Sequence, residues 1–326
     1  MEAKSTQLEV ENYPLDVYSL KNHLGENFIP KFLEKYELHA LKNKVQASVT
    51  KSFEEMQRSL VISFCSEKGG AGKTSSALCI GELLANLGFS VLLVDVDSTR
   101  SSSNVVHARI KEINDAITYA DSQHIPVDEV IGYKKTLEPV MDVMVVDQEL
   151  FNANTVQDLA TRKSHDVILI DTAGIKLAES GNFDIRLLSA SGKPHITTAY
   201  TSNFVLVPTG TSNLDLTIML AYVQPLIVFI GTLKSIQKNI VNTQYRILAN
   251  RVESKGGGLK ELEDAQQDLP FNWFETRIKR SEKVPANTSV KHGNTIYTNN
   301  VAPQVIKSYI EIVDQMFDDI AVSLEV

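Results

Sequence analysis

Six consecutive residues, Gly69-Gly70-Ala71-Gly72-Lys73-Thr74, have the types and spacing to hold the phosphates of a nucleotide. Glycines admit backbone angles that turn successive N–H groups to one side, and their lack of Cβ lets an anion approach them. Lys73 would bridge the β- and γ-phosphates. The Thr74 hydroxyl would ligate Mg²⁺, a hard cation that takes few protein oxygens and keeps waters. Such a match carries weight only when a strand precedes it and a helix follows it.

Both are expected here. Ser59–Cys65 is a β-branched and aromatic run of the kind buried on both faces of a sheet. Thr74–Leu87 places Ala77, Leu78, Ile80, Leu84 and Leu87 at helical spacing, with Gly88 positioned to end the helix. The new helix would turn its unsatisfied N–H groups and positive dipole end toward the phosphates. Val91–Val94 is a second buried strand, followed by Asp95-Val-Asp97. Further strands are expected at Val140–Val146, Asp166–Ile170, Asn203–Pro208 and Tyr245–Ala249. Helices are expected at Asn104–Tyr119, Thr155–Lys163, Asp215–Ile230, Leu259–Asp268 and Gln304–Leu324. The last has an apolar face, and an opposite face carrying Glu311, Asp314, Asp318 and Asp319. This order predicts an α/β fold: a mostly parallel, twisted sheet flanked by helices. Residues 58–326 would form that domain. Residues 1–57 are polar and nearly charge-balanced (9 acidic, 7 basic) and read as a helical extension, packed on the core or used in pairing.

The loop departs from the plain phosphate-binding pattern, because a second lysine, Lys68, opens it and Ser75 closes it. In this it resembles the ParA/MinD superfamily of deviant-Walker ATPases, most of all the ParA partition branch. The resemblance implies that Lys68 reaches across a nucleotide-sandwich homodimer to the partner's phosphates. There it would stabilise transferring charge only when two subunits meet. It also implies that Asp97 helps position the attacking water, although Ser98-Thr99 replaces the family's usual Pro-Gln. Asp166–Asp171 and Thr172-Ala-Gly174 resemble the Walker B strand and second switch, with Asp171 holding Mg²⁺ through a water and Gly174 permitting a response to the γ-phosphate. The strand Tyr245–Ala249 ends in Asn250-Arg251, where the family contacts adenine. An amide can pair with both the donor and the acceptor of a base edge, so Asn250 is the purine-reading candidate. No guanine-reading NKxD follows, so ATP is favoured over GTP. The likeness covers roughly residues 58–300, with Asn203 where the family has Asp and a longer stretch between Gly174 and Asn203.

The remaining sequence bears on cargo. The net charge is −8, so nucleic acid would have to meet a local patch. Thr276–Lys291 offers one: Arg277, Lys279, Arg280, Lys283 and Lys291 against Glu282, a local net of +4. Such charges would bind DNA without sequence preference and with strong salt dependence. The C-terminal helix is acidic, so anionic membrane is not an expected partner. No apolar run is expected to reach the roughly 20 residues of a membrane span. No secretory signal pattern is present, and a cytoplasmic location follows, nucleoid-associated if DNA is bound. The two cysteines, Cys65 and Cys79, read as buried core residues, which leaves no cysteine pair for a bridging cluster. The resemblance therefore implies slow, partner-stimulated Mg²⁺-dependent ATP hydrolysis. It would drive a dimerise-and-release cycle that positions DNA with a centromere-binding activator protein. An ATPase that positions a protein complex, or acts in assembly, without DNA is the alternative.

Overall fold

The computed structural model describes residues 29–124, 141–174, 193–236, 241–253, 257–269, 271–281, 297 and 302–324. Two helices come first, α1 (29–36) and α2 (His39–Glu55). The alternating part then runs β1 (Leu60–Phe64), α3 (Lys73–Asn86), β2 (Val91–Asp95), α4 (Ser101–Gln123), β3 (Asp142–Val145), α5 (Ala153–Thr161) and β4 (Val167–Asp171). It continues with α6 (Lys193–Thr201), β5 (Phe204–Thr209), α7 (Asn213–Ile236), β6 (Gln244–Ala249), α8 (Gly257–Asp268) and α9 (Pro303–Ser323).

The six strands form one sheet in the order β3-β2-β4-β1-β5-β6, and every pairing is parallel. Strands β1, β2, β4 and β5 are buried at every position, as helices on both faces of a parallel sheet require. The register sets Phe64 and Asp95 on either side of Asp171, so three strands end together at one edge. Ligands of open α/β sheets bind beyond the carboxyl ends of the strands, where the connections diverge. Here β1 is that point: the chain leaves it for β2 on one side and later returns to β5 on the other.

One face of the sheet is covered by α3, α4 and α9, the other by α6, α7 and α8. The N-terminal helices belong to the first layer. Phe32, Leu33, Leu41, Val45 and Val49 join Tyr309, Ile312, Met316 and Phe317 of α9 in one apolar cluster. Burying each large side chain of this kind contributes roughly 1.5–3 kcal/mol. The acidic side of α9 does not simply face water: Lys44 pairs with Asp314 (2.5 Å) and Asp318 (2.8 Å), and Arg246 pairs with Asp319 (2.6 Å).

Helix α7 corrects one expectation. Its stretch Asn213–Thr232 is long and apolar enough to cross a membrane by length and composition, with Asp215 its one charged residue. One side nevertheless packs Met219, Tyr222, Val223, Leu226 and Ile230 against the sheet, while Leu214 and Val228 are exposed. The expected stretch between Gly174 and Asn203 ends in α6, and residues 175–192, like residues 1–28, lie outside the described residues.

Candidate functional site

The loop between β1 and α3 is built as its glycines require. Gly70 and Gly72 have φ of +78° and +105°, a region that side chains other than glycine rarely adopt. Gly72 is the N-cap of α3, and its carbonyl accepts the first helical hydrogen bond from Ser76 N at 2.9 Å. Nothing lies within 4 Å of where a Cβ would stand on Gly69 or Gly70, so the hollow of the loop is open. Lys73 turns inward, with Nζ donating to Ser66 Oγ and to Lys68 O, both at 3.3 Å. Burial lowers its pKa, and the charges of Asp171, Cys65 and Asp97 only partly restore it. Among the described residues no carboxylate pairs with this lysine directly, which leaves its charge available to an anion in the loop.

Thr74 Oγ1 donates to Asp171 Oδ2 at 2.8 Å, so the helix start and the end of β4 meet. The other oxygen of Asp171 is buried without a hydrogen-bond partner among the described residues. Among the described residues no group of three or more His, Cys, Asp or Glu could cage a metal. A hydroxyl, one deeply buried carboxylate with a free oxygen and an open phosphate hollow nevertheless fit Mg²⁺ held largely by phosphates and water. When bound, the ion would supply charge neutralisation at the phosphates, with Thr74 and Asp171 as its protein partners.

Asp171 sits between burial and a second acid. Burial pushes its carboxyl up to about 7 and the neighbouring Asp95 pushes the same way, against the Thr74 hydrogen bond and the Lys73 charge. A folded-state pKa raised above the unfolded 3.8 means that the folded chain holds a proton the unfolded chain has released. Stability present below pH 4 should thus decline as pH rises toward 7, by an amount on the order of a few kcal/mol. In metal-free, nucleotide-free protein, Asp171→Asn should remove that decline and raise the melting temperature at pH 8. Parallel pH profiles of the two proteins, measured by thermal unfolding in EDTA, would sink this account.

Asp95 itself was not singled out from the sequence. Its Oδ2 accepts from Ser103 N (2.8 Å) and its Oδ1 from Asp97 N (3.1 Å), so it caps α4 and shapes the loop that carries Asp97. Asp97 Oδ1 accepts from Thr99 N at 2.9 Å, and Thr99 Oγ1 lies 2.9 Å from Ser101 Oγ. Ser98-Thr99, the departure from Pro-Gln, thus still forms a closed turn, with Arg100 left-handed (φ +51°) at the helix start. An open cleft of about 300 Å³ brings together Lys73, Thr74, Ser75, Asp97, Gly174 and Arg251.

Lys68 lies apart from its own hollow. Its ammonium pairs with Asp215, at the rim of a second cleft of about 450 Å³ that also includes Gly69, Gly70 and Arg251. Ser212 and Asp215 form a reciprocal cap on α7: Ser212 Oγ lies 3.2 Å from Asp215 N, and Ser212 N donates to Asp215 Oδ2 at 3.4 Å. Burial would raise the Asp215 pKa, but the hydrogen bonds from Lys68 and Ser212 outweigh it and hold the carboxyl below its ordinary value.

Asn250 is buried beside the loop. Its Nδ2 donates to Ala71 O (3.0 Å) and its Oδ1 accepts from Arg251 N (2.8 Å). Both ends of the amide therefore brace the phosphate loop and the left-handed Arg251 (φ +57°). Arg251, the second residue of the pair where the resemblance places an adenine contact, lines both clefts. The basic segment also looks different in space. Arg277 meets Glu263 (3.3 Å) and Gln266 (2.6 Å), and Arg280 meets Glu253 (2.5 Å). Lys279 is exposed, while Lys283 and Lys291 lie outside the described residues. The local +4 omitted carboxylates that α8 and the end of β6 bring from elsewhere.

Residues 59–246, more than half of the chain, match the family model described as an AAA domain. The chain belongs to this family. Its lysine-opened loop and all-parallel sheet carry the pattern of the ParA/MinD superfamily of P-loop ATPases. The fold is similar to that of a McdA variant from Cyanothece in complex with ATP (TM-score 0.54, 12% identity, 80% of this chain and 96% of that chain). It is also similar to the MinC:MinD cell division protein complex of Aquifex aeolicus (TM-score 0.50, 17% identity, 80% and 96%). A curated protein described as replication protein A, from Rhizobium rhizogenes, is 23% identical over 256 residues. That match takes in 74% of this chain, which spans only 55% of that relative's length.

Proposed function

We propose that this AAA-family chain is a Mg²⁺-dependent ATPase of the ParA type. ATP draws two copies together, and slow hydrolysis, stimulated by an activator protein, releases them. The observation that carries this reading is the separation of two lysines on one loop. Lys73 is enclosed within its own hollow, whereas Lys68 stands at the rim, tied among the described residues to Asp215. A lysine held at the rim, outside the contacts of its own hollow, is placed to enter a facing one. In the cleft, Asp97 would orient water, while Thr74 and Asp171 would hold the metal. Asn250 and Arg251 would border the base, with ATP the favoured nucleotide because no guanine-reading segment is present.

For cargo, the same reading takes the paired state to bind DNA without sequence preference through Lys279 and its neighbours, in the cytoplasm or on the nucleoid. A specific observation also favours the alternative, an ATPase that positions a protein assembly: Arg277 and Arg280 are already partnered by Glu263, Gln266 and Glu253. Light scattering combined with anisotropy of a labelled random-sequence duplex separates the two, with ATP, with ADP and without nucleotide. Dimers and low-salt DNA binding with ATP alone are expected, the binding weakening steeply as salt rises. ATP-dependent dimers without DNA binding would move the assignment to the protein-positioning reading. No ATP-dependent dimer would sink both.

A further inference from the structure

A buried polar chain beneath the site has no part in the reading above. His195 of α6 is 0% exposed, yet both ring nitrogens are engaged. Nε2 lies 2.8 Å from the carbonyl oxygen of Ala173, and Nδ1 lies 2.7 Å from the hydroxyl of Tyr222. A carbonyl can only accept, so Nε2 carries the hydrogen, and Nδ1 accepts from the tyrosine. Burial pushes the imidazole pKa down to about 3, so the neutral ring is the form present near neutrality.

The accepting carbonyl belongs to the turn that follows Asp171. Thr172 Oγ1 ties the start of this turn to Phe64 O at 2.8 Å. At its end, Gly174 approaches the loop entrance so closely that a Cβ would stand 2.9 Å from Gly69 N and 3.0 Å from Glu67 O. His195 therefore holds the middle of a short, irregular segment wedged between the metal-side carboxylate and the phosphate loop. Its own anchor, Tyr222, lies two helical turns along α7 from Asp215. Asp215, Ile218, Met219 and Tyr222 share one stripe that faces Ser66, Glu67 and Lys68 across a small cavity. One helix face thus holds the rim lysine at one end and, through His195, the turn after β4 at the other.

We propose that His195, oriented by Tyr222, is a positioning residue for hydrolysis: it fixes the Ala173 carbonyl and so sets the Ala173-Gly174 turn against the phosphate loop. This rests on the reading of the site as an ATPase. A histidine that only fills the core would be replaceable by an apolar side chain with no selective effect on turnover.

The test compares His195→Leu, which removes the donor, with His195→Gln, whose amide can place an N–H near the Nε2 position. Tyr222→Phe keeps the tyrosine's bulk and removes the group that orients the ring, and it serves if His195→Leu does not fold. His195→Leu should lower kcat by roughly 10- to 100-fold, the scale of a small misplacement at a reacting centre, with the KM for ATP nearly unchanged. His195→Gln should recover most of the loss, and Tyr222→Phe should lower kcat in the same sense. Wild-type kcat in His195→Leu overturns the proposal, as does a parallel loss of ATP affinity that glutamine does not repair. Hydrogen exchange of the peptide spanning Val167–Gly174 in nucleotide-free protein gives a readout that needs no turnover. Faster exchange in His195→Leu than in wild type and His195→Gln supports the assignment, and equal exchange in all three overturns it. A wild-type protein that hydrolyses no ATP would fail the ATPase reading, while the exchange data would still decide whether His195 holds the turn.

Discussion

Lys68→Ala should lower ATP turnover by about 10²- to 10³-fold, the scale of removing one preorganised charge from a transition state, while ATP affinity stays close to that of wild type. The structure explains why the two should separate. Lys68 points away from its own hollow to Asp215, so its removal takes nothing from the contacts of Lys73, Thr74 or the loop N–H groups. Folding should also tolerate the change. The lysine side chain is 41% exposed, and ion pairs in such settings contribute at most about 1 kcal/mol. Asp215 would keep its hydrogen bond from Ser212 Oγ at 2.7 Å. Action in trans makes a sharper demand. A Lys73→Ala chain should bind ATP poorly but still offer its Lys68. Mixed with Lys68→Ala, which binds ATP but lacks the rim lysine, it should restore part of the turnover that neither has alone. The mixture is assayed by phosphate release across a range of mixing ratios. Full activity in Lys68→Ala alone would remove this lysine from catalysis, and absence of complementation would return it to a role in its own subunit.

The layered α/β architecture was legible because a parallel sheet covered on both faces leaves a plain record: unbroken apolar strands between amphipathic helices. Where element ends moved, long-range contacts account for it. β2 and β4 run on through Asp95 and Asp171, which a local reading takes for turn residues. Each continues the ladder beside the other, and the resulting closeness of the two acids adds to the burial that raises the Asp171 pKa. Helix α4 begins at Ser101 rather than Asn104 because its cap, Asp95, comes from the preceding strand. A run of serines shows no such partner. The start of α7, by contrast, was written locally: Ser212 and Asp215 stand at capping-box spacing.

The candidate site divides in the same way. Gly70, Gly72, Lys73 and Thr74 could be placed from sequence because their chemistry is local to one loop. Three residues whose parts depend on distant contacts could not be read in full. Asn250 faces Ala71, 179 residues earlier in the chain, so its bracing of the loop has no local sign. His195 acts on Ala173 across 22 residues, with Tyr222 behind it. The basic segment is only partly legible for the same reason: counting charges along Thr276–Lys291 cannot include Glu253 and Glu263, which the fold carries to Arg280 and Arg277.

The contact between Asn250 and the loop makes Gly72 the position least able to change. In Gly72→Ala the new Cβ would stand 1.8 Å from Asn250 Nδ2 and 3.1 Å from its Cγ, on a backbone held at φ +105°. Two penalties combine. An L residue in that conformation is strained by about 1–3 kcal/mol. Relieving the overlap requires Asn250 to swing away, which gives up its bonds to Ala71 O and Arg251 N, each worth about 1 kcal/mol. The alternative is for the loop to open, which removes the N-cap of α3 and moves Lys73 and Thr74 from their places. Either route should weaken ATP binding by more than about 100-fold, since every 1.4 kcal/mol is a factor of ten. Gly69→Ala separates the mechanisms: its Cβ meets nothing within 4 Å in the protein and Gly69 lines both clefts, so the change should leave folding intact and weaken nucleotide binding alone. Asn250→Ala added to Gly72→Ala removes the overlap and leaves the backbone strain. Calorimetric ATP titration and thermal unfolding of these proteins and of Asn250→Ala alone then apportion the loss. A double variant no weaker than Asn250→Ala alone assigns the loss to the Asn250 contact and its two bonds, and a further loss beyond Asn250→Ala belongs to the backbone of Gly72. Wild-type ATP affinity in Gly72→Ala would mean that the phosphates do not sit in this loop at all.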